Sequence, residues 1–199
     1  MNETEIRAIV ADPAGIQKRL CASGFQALGT ASHQDIILDR PDTGLFRSGR
    51  KVRVRVAGRS AELTYKGPFE GDSEASRREE ISVVFSVDQV DNLIRIFNVL
   101  DFPVCLSVSK IRTELSGNGL KITFDEWPII GCVMEVEGDE EKARALVDAM
   151  VPGVRFGNYR LKDFFKQAEI NSGLSLADLK RLYEESRGVS LGRLEVMLQ

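Results

Sequence analysis

The sequence holds one histidine, His33, and three cysteines, Cys21, Cys105 and Cys132. A single imidazole excludes a His-rich metal centre and any Ser-His-Asp apparatus not built on that residue. The cysteines are odd in number and scattered. They form no CxxC pair and no disulfide framework, which points to a reducing, cytoplasmic setting. No apolar run approaches the ~18 residues that a membrane span needs. The first residues, MNETEIRAIV, lack a basic region followed by an apolar one, so neither a signal peptide nor a membrane anchor is expected. An excess of positive charge is also missing. The net charge is −3, and no global field draws the chain to nucleic acid. Chemistry therefore falls to carboxylates and cations.

Hydrophobic residues make up 43% of the 199 positions and charged residues 29%, as in a soluble globular protein with one sizeable domain and room for an appendage. Within it, KVRVRV (51–56) alternates without a break, with Lys51, Arg53 and Arg55 on one side and Val52, Val54 and Val56 on the other. Strand side chains point to opposite faces with period two, so this is a strand with one cationic and one valine face. Further strands are expected at 2–9, 33–39, 60–67, 77–85, 106–115, 119–125 and 131–138. A helix opens at Asp12-Pro13 and ends before Gly24. Ser86 and Gln89 have the spacing of a capping box, ahead of a helix with Val90, Leu93, Ile94 and Phe97 on its apolar face. Another helix starts near Asp139 with Ala143, Leu146, Val147 and Met150 inward, and one more is expected over 158–170. The tail from about 171 reads as a helical appendage, with Ser175 and Asp178 at its start. It is expected to pack on the main domain, with a contact to a partner or in a homodimer as the alternative.

The charged comb of 51–56 recurs. Glu3, Glu5 and Arg7 share a face, as do Glu62, Thr64 and Lys66; Arg78, Glu80 and Ser82; Lys110, Arg112 and Glu114; Lys121, Thr123 and Asp125; and Glu135 and Glu137. The signs segregate along the chain, with acids at 3, 5, 125, 135 and 137 and cations at 51, 53, 55, 66, 78, 110 and 112. The arrangement consistent with these faces is an α+β fold, in which antiparallel strands close into a barrel and helices pack outside on the apolar faces. Removing a charge from water costs several kcal/mol unless it is paired. So ionic a lumen is hydrated and salt-bridged, or it is filled by a complementary ligand. Arginine and lysine grip phosphate oxygens, and clustered carboxylates hold Mg²⁺ or Mn²⁺.

These residues resemble the CYTH superfamily, the triphosphate tunnel metalloenzymes, which include class IV adenylyl cyclases, thiamine triphosphatases and inorganic tripolyphosphatases. ETEIR at 3–7 is similar to the family's E-x-E-x-K signature, HQDIILD to its Q-x-D segment, and VRVR at 52–55 to its R-x-R strand. LTYKGP at 63–68 resembles the cyclase-like branch. Arg78 and Glu80 supply an R-x-E pair, Lys110 and Arg112 a K-x-R pair, Asp125 the single acid, and MEVEG the E-x-E strand. NYRLKDFF resembles the closing helix, with Asn158 and Tyr159 where a Ser-Tyr pair is usual. The ordered match runs from residue 3 to about 165, giving a tunnel domain over 1–170 and an appendage over 171–199.

The resemblance implies an eight-stranded closed antiparallel tunnel that binds a triphosphate such as ATP or tripolyphosphate with the help of Mg²⁺ or Mn²⁺. It implies metal ligation by Glu3, Glu5, Asp125, Glu135 and Glu137, and phosphate binding by Arg53, Arg55, Lys66, Arg78, Lys110 and Arg112. Catalytic roles fall to Glu5, Arg7 and Glu80. The expected reaction is a class IV-type cyclisation of ATP to cyclic AMP and pyrophosphate. Release of the terminal phosphate is the alternative, and binding without turnover a third reading. Two departures stand out. Arg7 replaces the family lysine, and arginine does not deprotonate near neutral pH. The stretch IIGC, before Glu135, departs from the common Gly-Asp-Phe form.

Overall fold

Alternation of valine and cation makes β3 (Lys51–Ala57), and the same period makes its neighbours. The computed structural model of the protein describes residues 2–68, 76–127, 131–153, 156–157, 166, 168–170 and 172–187. Seven further long strands join β3: β1 (Asn2–Val10), β2 (Gln26–Leu38), β4 (Ser60–Lys66), β5 (Ser76–Ser86), β6 (Val104–Gly117), β7 (Leu120–Trp127) and β8 (Gly131–Glu137). A two-residue strand, β9 (Phe156–Gly157), pairs with Arg7 and Ala8 of β1. All pairings are antiparallel, in the order β5-β4-β3-β2-β6-β7-β8-β1-β9. In addition, β5 pairs with β1, with Asn2 opposite Glu79 and Glu5 opposite Ser76. The helices whose bounds are described are α1 (Pro13–Ala22), α2 (Gly44–Arg47), α3 (Val90–Val99), α4 (Glu140–Met150) and α5 (Leu176–Arg187). The class is α+β, as expected.

The apolar faces lie outside, beneath helices. Ile6, Ala8 and Val10 of β1, Ile122 and Phe124 of β7, and Met134 and Val136 of β8 form one core with Ile16 and Leu20 of α1 and Ala143 and Val147 of α4. Ile6, Ile122, Phe124, Met134 and Val136 are completely buried. Each large side chain of this kind contributes about 1.5–3 kcal/mol by leaving water. A second core joins Val52, Val54 and Val56 of β3 to Leu38, Leu63 and the Val90, Leu93, Ile94 and Phe97 face of α3. The valines of KVRVRV therefore point away from the cations and under a helix. Cover is incomplete at β5, where Ile81 and Val83 remain 56% and 59% exposed.

Local signals explain most boundaries. Oδ1 of Asp12 accepts from the Gly15 amide at 2.9 Å, and Pro13 takes the first helical position of α1. Oδ1 of Asp139 accepts from the Lys142 amide at 3.0 Å and starts α4. The β6–β7 hairpin turns on Asn118 and Gly119, both at positive φ (54° and 76°), a two-residue turn that Asn-Gly suits. Ser175 and Asp178 do form a cap: the Asp178 amide donates to Ser175 Oγ at 3.2 Å, and that hydroxyl donates to Asp178 Oδ2 at 2.7 Å. Leu179, in the following turn of α5, is fully buried.

Three expectations change. The Ser86–Gln89 capping box is not made. Ser86 forms no capping hydrogen bond, and a 3₁₀ turn over Val87–Gln89 leads into α3 instead. β2 begins at Gln26 rather than 33, so His33 lies inside the strand. Residues 26–32 are all exposed, and their pairing with β6 continues the ribbon past the end of β3. The helix expected over 158–170, with Asn158 and Tyr159, falls largely outside the described residues. Among the described residues no helix is long and apolar enough to cross a membrane.

Candidate functional site

Period two places the charged combs on the inner face of the sheet. Glu5, Asp35, Arg53, Lys66, Arg78, Lys110, Arg112 and Asp125 are all buried there, at 7% exposure or less. So many buried charges require partners, and the strand registers supply them.

One network crosses seven strands. Arg78 on β5 lies 3.8 Å from Glu5 on β1. Glu5 accepts from Nη2 of Arg7 at 2.5 Å. Nε of Arg7 donates to Glu135 on β8 at 2.8 Å, and Glu135 also accepts from Arg112 on β6 at 3.1 Å. Arg112 makes a two-pronged contact with Asp125 on β7, at 2.6 Å on each oxygen. Asp125 accepts a further bond from Lys110. Lys110 lies 3.5 Å from Asp35 on β2, which accepts two bonds from Arg55 on β3, at 2.7 and 3.0 Å. Thr123 Oγ1 donates to Glu135 at 3.3 Å. Separately, Lys66 pairs with Glu80 at 2.6 Å, and Arg53 lies 3.9 Å from Glu62.

This geometry sets the ionisation of the groups. Burial pushes the Asp35 carboxyl up, but Lys110 and Arg55 outweigh it and hold the group well below the usual carboxylate range. For Glu135 burial again acts upward, and Arg7 and Arg112 bring the carboxyl well below its ordinary value. Burial lowers the Lys110 ammonium, Asp35 and Asp125 offset part of this, and Arg112 and Arg55 add to the lowering. His33 lies opposite Lys110 in register, and its pKa falls to about 4 through burial and the fields of Arg55, Arg112 and Lys110. It is neutral at pH 7.

Lys51 stands apart. It lies directly opposite Lys66 in register, and no ion pair joins it to any described residue. Burial, then Arg78, Arg53, Lys66 and Arg7, push its ammonium well below the lysine range. Next to it, Nε of Arg53 is buried without a hydrogen-bond partner. The wall formed by β3, β4 and β5 thus presents more cations than anions, which is the electrostatic condition for holding a polyanion.

The expected site residues whose side chains are described lie on this face, with two corrections. Signs do not segregate into an acidic and a basic side; they interleave. Asp125 does not complete an acidic cluster, since Lys110 and Arg112 take its oxygens. Strand register is the reason: Asp125 lies opposite Arg112 and Glu135 opposite Arg7, so these two acids meet cations across the ladder, whereas Glu5 lies opposite Glu137. Glu137 lies between Glu5 and Lys121 in register. The side chain of Glu3 lies outside the described residues, although its backbone pairs with Arg78. In the departing IIGC stretch, Cys132 points into the outer core under α1 and α4, away from the charges. Burial pushes its thiol up to about 12.

Two inner-face residues were not singled out from the sequence as site residues. Lys51 stood in the comb but outside the R-x-R signature. Asp35 was hidden because Ile37, two positions on, shares its face and breaks the ionic pattern.

The metals expected at this face are Mg²⁺ and Mn²⁺. Both want several oxygen ligands at once. Among the described residues no three His, Cys, Asp or Glu side chains converge on a metal-sized space. Glu5, Asp125 and Glu135 are each held by guanidinium or ammonium groups. The described residues, as arranged, do not fit a divalent cation.

A model of the CYTH domain family matches residues 1–151. No curated protein matches the chain in sequence. Among solved structures, a proposed adenylate cyclase from Vibrio parahaemolyticus superposes with a TM-score of 0.66 at 17% identity, over 82% of this chain and 97% of that one. A proposed adenylyl cyclase from Hippeastrum, reported to have a dominant triphosphatase activity, gives 0.59 at 16%, over 88% and 98%. A chain of the Schizosaccharomyces pombe Mediator head module gives 0.61 at 10%, over 81% and 100%. At these identities the likeness is one of fold.

Proposed function

Because this chain belongs to the CYTH domain family, we propose that its inner face is a tunnel that binds a triphosphate and breaks one of its phosphoanhydride bonds. The pairing of β5 with β1 supports closure of the tunnel, since it joins the two ends of the strand order. The cation surplus around Lys51 carries the reading: Lys51, Arg53, Lys66 and Arg78 crowd one wall, and no ion pair joins Lys51 to a described residue. A bound polyphosphate would supply the missing negative charge.

The reaction proposed first is cyclisation of ATP. The ribose 3′-oxygen attacks the α-phosphorus, the bond from that phosphorus to the β-phosphate oxygen breaks, and pyrophosphate leaves with the electron pair. The hydroxyl proton passes to solvent or to a carboxylate of the inner face, for which Glu80, beside Lys66, is the candidate. Arg53, Arg55, Lys66, Arg78, Lys110 and Arg112 hold phosphate oxygens and stabilise the charge that builds on the leaving group. Arg7 stays charged and binds rather than shuttling a proton. The chain from Hippeastrum favours a second reading, in which water attacks the terminal phosphorus in the same cradle.

Product analysis separates them. Purified protein is incubated with ATP, and separately with tripolyphosphate, in Mg²⁺ and in Mn²⁺, and the products are resolved by chromatography. Cyclic AMP with pyrophosphate is the expected result. Phosphate without a cyclic product makes the protein a hydrolase, and binding without turnover makes it a triphosphate sensor.

A further inference from the structure

Arg7 occupies the place where the family resemblance would put a metal between carboxylates. Its Nε is 2.8 Å from Glu135 and its Nη2 is 2.5 Å from Glu5, so one planar guanidinium ties two strands' acids together. Arg112 and Arg78 are second neighbours of those same acids, at 3.1 and 3.8 Å. Three guanidiniums, those of Arg7, Arg78 and Arg112, thus stand beside Glu5 and Glu135; Arg112 is also held by Asp125, and Glu137 lies opposite Glu5 in register. A divalent ion would have to displace Arg7 from both acids and bring two further positive charges beside Arg78 and Arg112. The low-dielectric interior makes that repulsion costly.

We propose that Arg7 is a built-in counter-ion that takes the place of a divalent cation at Glu5 and Glu135, so that the tunnel binds polyphosphate without a protein-bound metal at these acids. This rests on the triphosphate reading above. The guanidinium does statically what a metal would do reversibly: it neutralises the two acids, so they do not repel an incoming phosphate.

Two titrations test it. In the first, Mn²⁺ is added to the ligand-free protein and free Mn²⁺ is followed by its electron paramagnetic resonance signal. Wild type is expected to take up no Mn²⁺ at these acids. Arg7→Gln, which keeps a polar side chain but removes the charge, is expected to bind Mn²⁺ at least about ten-fold more tightly, or about 1.4 kcal/mol. Stoichiometric Mn²⁺ binding by the ligand-free wild type overturns the proposal, and that result is read even if the variant fails to fold. In the second, tripolyphosphate is titrated into wild type by calorimetry in EDTA and is expected to bind. Binding only when Mn²⁺ is present also overturns the proposal. Failure to bind under either condition sinks the triphosphate reading instead, and the Mn²⁺ titration then decides the role of Arg7 alone.

Discussion

Nε of Arg7 on β1 donates to Oε1 of Glu135 on β8 at 2.8 Å, and the two residues are direct partners in the ladder. The same guanidinium reaches Glu5, so Arg7 couples acids on neighbouring strands. Removing one member of a buried ion cluster costs more than the cluster contributes in net terms, because it leaves a charge unpaired. Arg7→Met is expected to lower stability by about 3 kcal/mol. Arg7→Lys should retain part of it, since an ammonium carries the charge without the planar fork. Urea unfolding of the three proteins measures this, and equal midpoints for Arg7→Met and wild type would refute it.

Lys51 works against the fold. Its ammonium sits among cations, and burial and their fields oppose its charge. Lys51→Met should therefore stabilise the ligand-free protein by about 1 kcal/mol, as substitutions at strained functional positions do. The same change should weaken tripolyphosphate binding. A stabilised variant with unchanged affinity would remove Lys51 from the proposed site.

His33 sets a pH dependence. Its folded pKa of about 4 lies below its unfolded value of 6.5. Between these values the unfolded chain carries a proton that the folded protein refuses, so stability falls as pH drops from 6.5 towards 4. His33→Gln should flatten that part of the profile. The depressed carboxyls of Asp35 and Glu135 add a further loss at lower pH, as they take up protons. Unfolding midpoints at pH 7, 6 and 5 for both proteins test the assignment.

Asp35 holds two cations from two strands, accepting from Arg55 and lying 3.5 Å from Lys110. Asp35→Asn removes the carboxylate that Arg55 holds and leaves Lys110 with Asp125 alone. A loss of about 3 kcal/mol follows, and thermal denaturation would show it as a fall of very roughly 10 °C. A melting point within 2 °C of wild type, on the same scale, would mean that solvent screens this end of the network.

The strands and their faces were legible because one rule, alternation, controls both. In 51–56 no residue breaks the period, and the cation and valine sides came out as read. Helix starts at Asp12 and Asp139 were legible because a cap is a local event. Pairing across the sheet was not. Acids and cations are separated along the chain, yet register brings Asp125 opposite Arg112 and Glu135 opposite Arg7. No single strand records which partner it will face. The first half of β2 also escaped, because its seven exposed residues have no buried side to impose a pattern.

The double pairing of β1 has a kinetic side. Arg7 and Glu135 are 128 positions apart, and β1 borders one strand from the middle of the chain, β5, and one from much later in it, β8. During synthesis β1 emerges first, but the partner that covers most of its length, β8, emerges last of the eight long strands. Until then its backbone donors and acceptors have no native neighbour on that side. Chains with such distant pairings fold slowly, and their waiting edges are where nascent chains associate wrongly. Here the waiting edge carries Glu5 and Arg7, and charged side chains on an open strand discourage a second chain from adding to it.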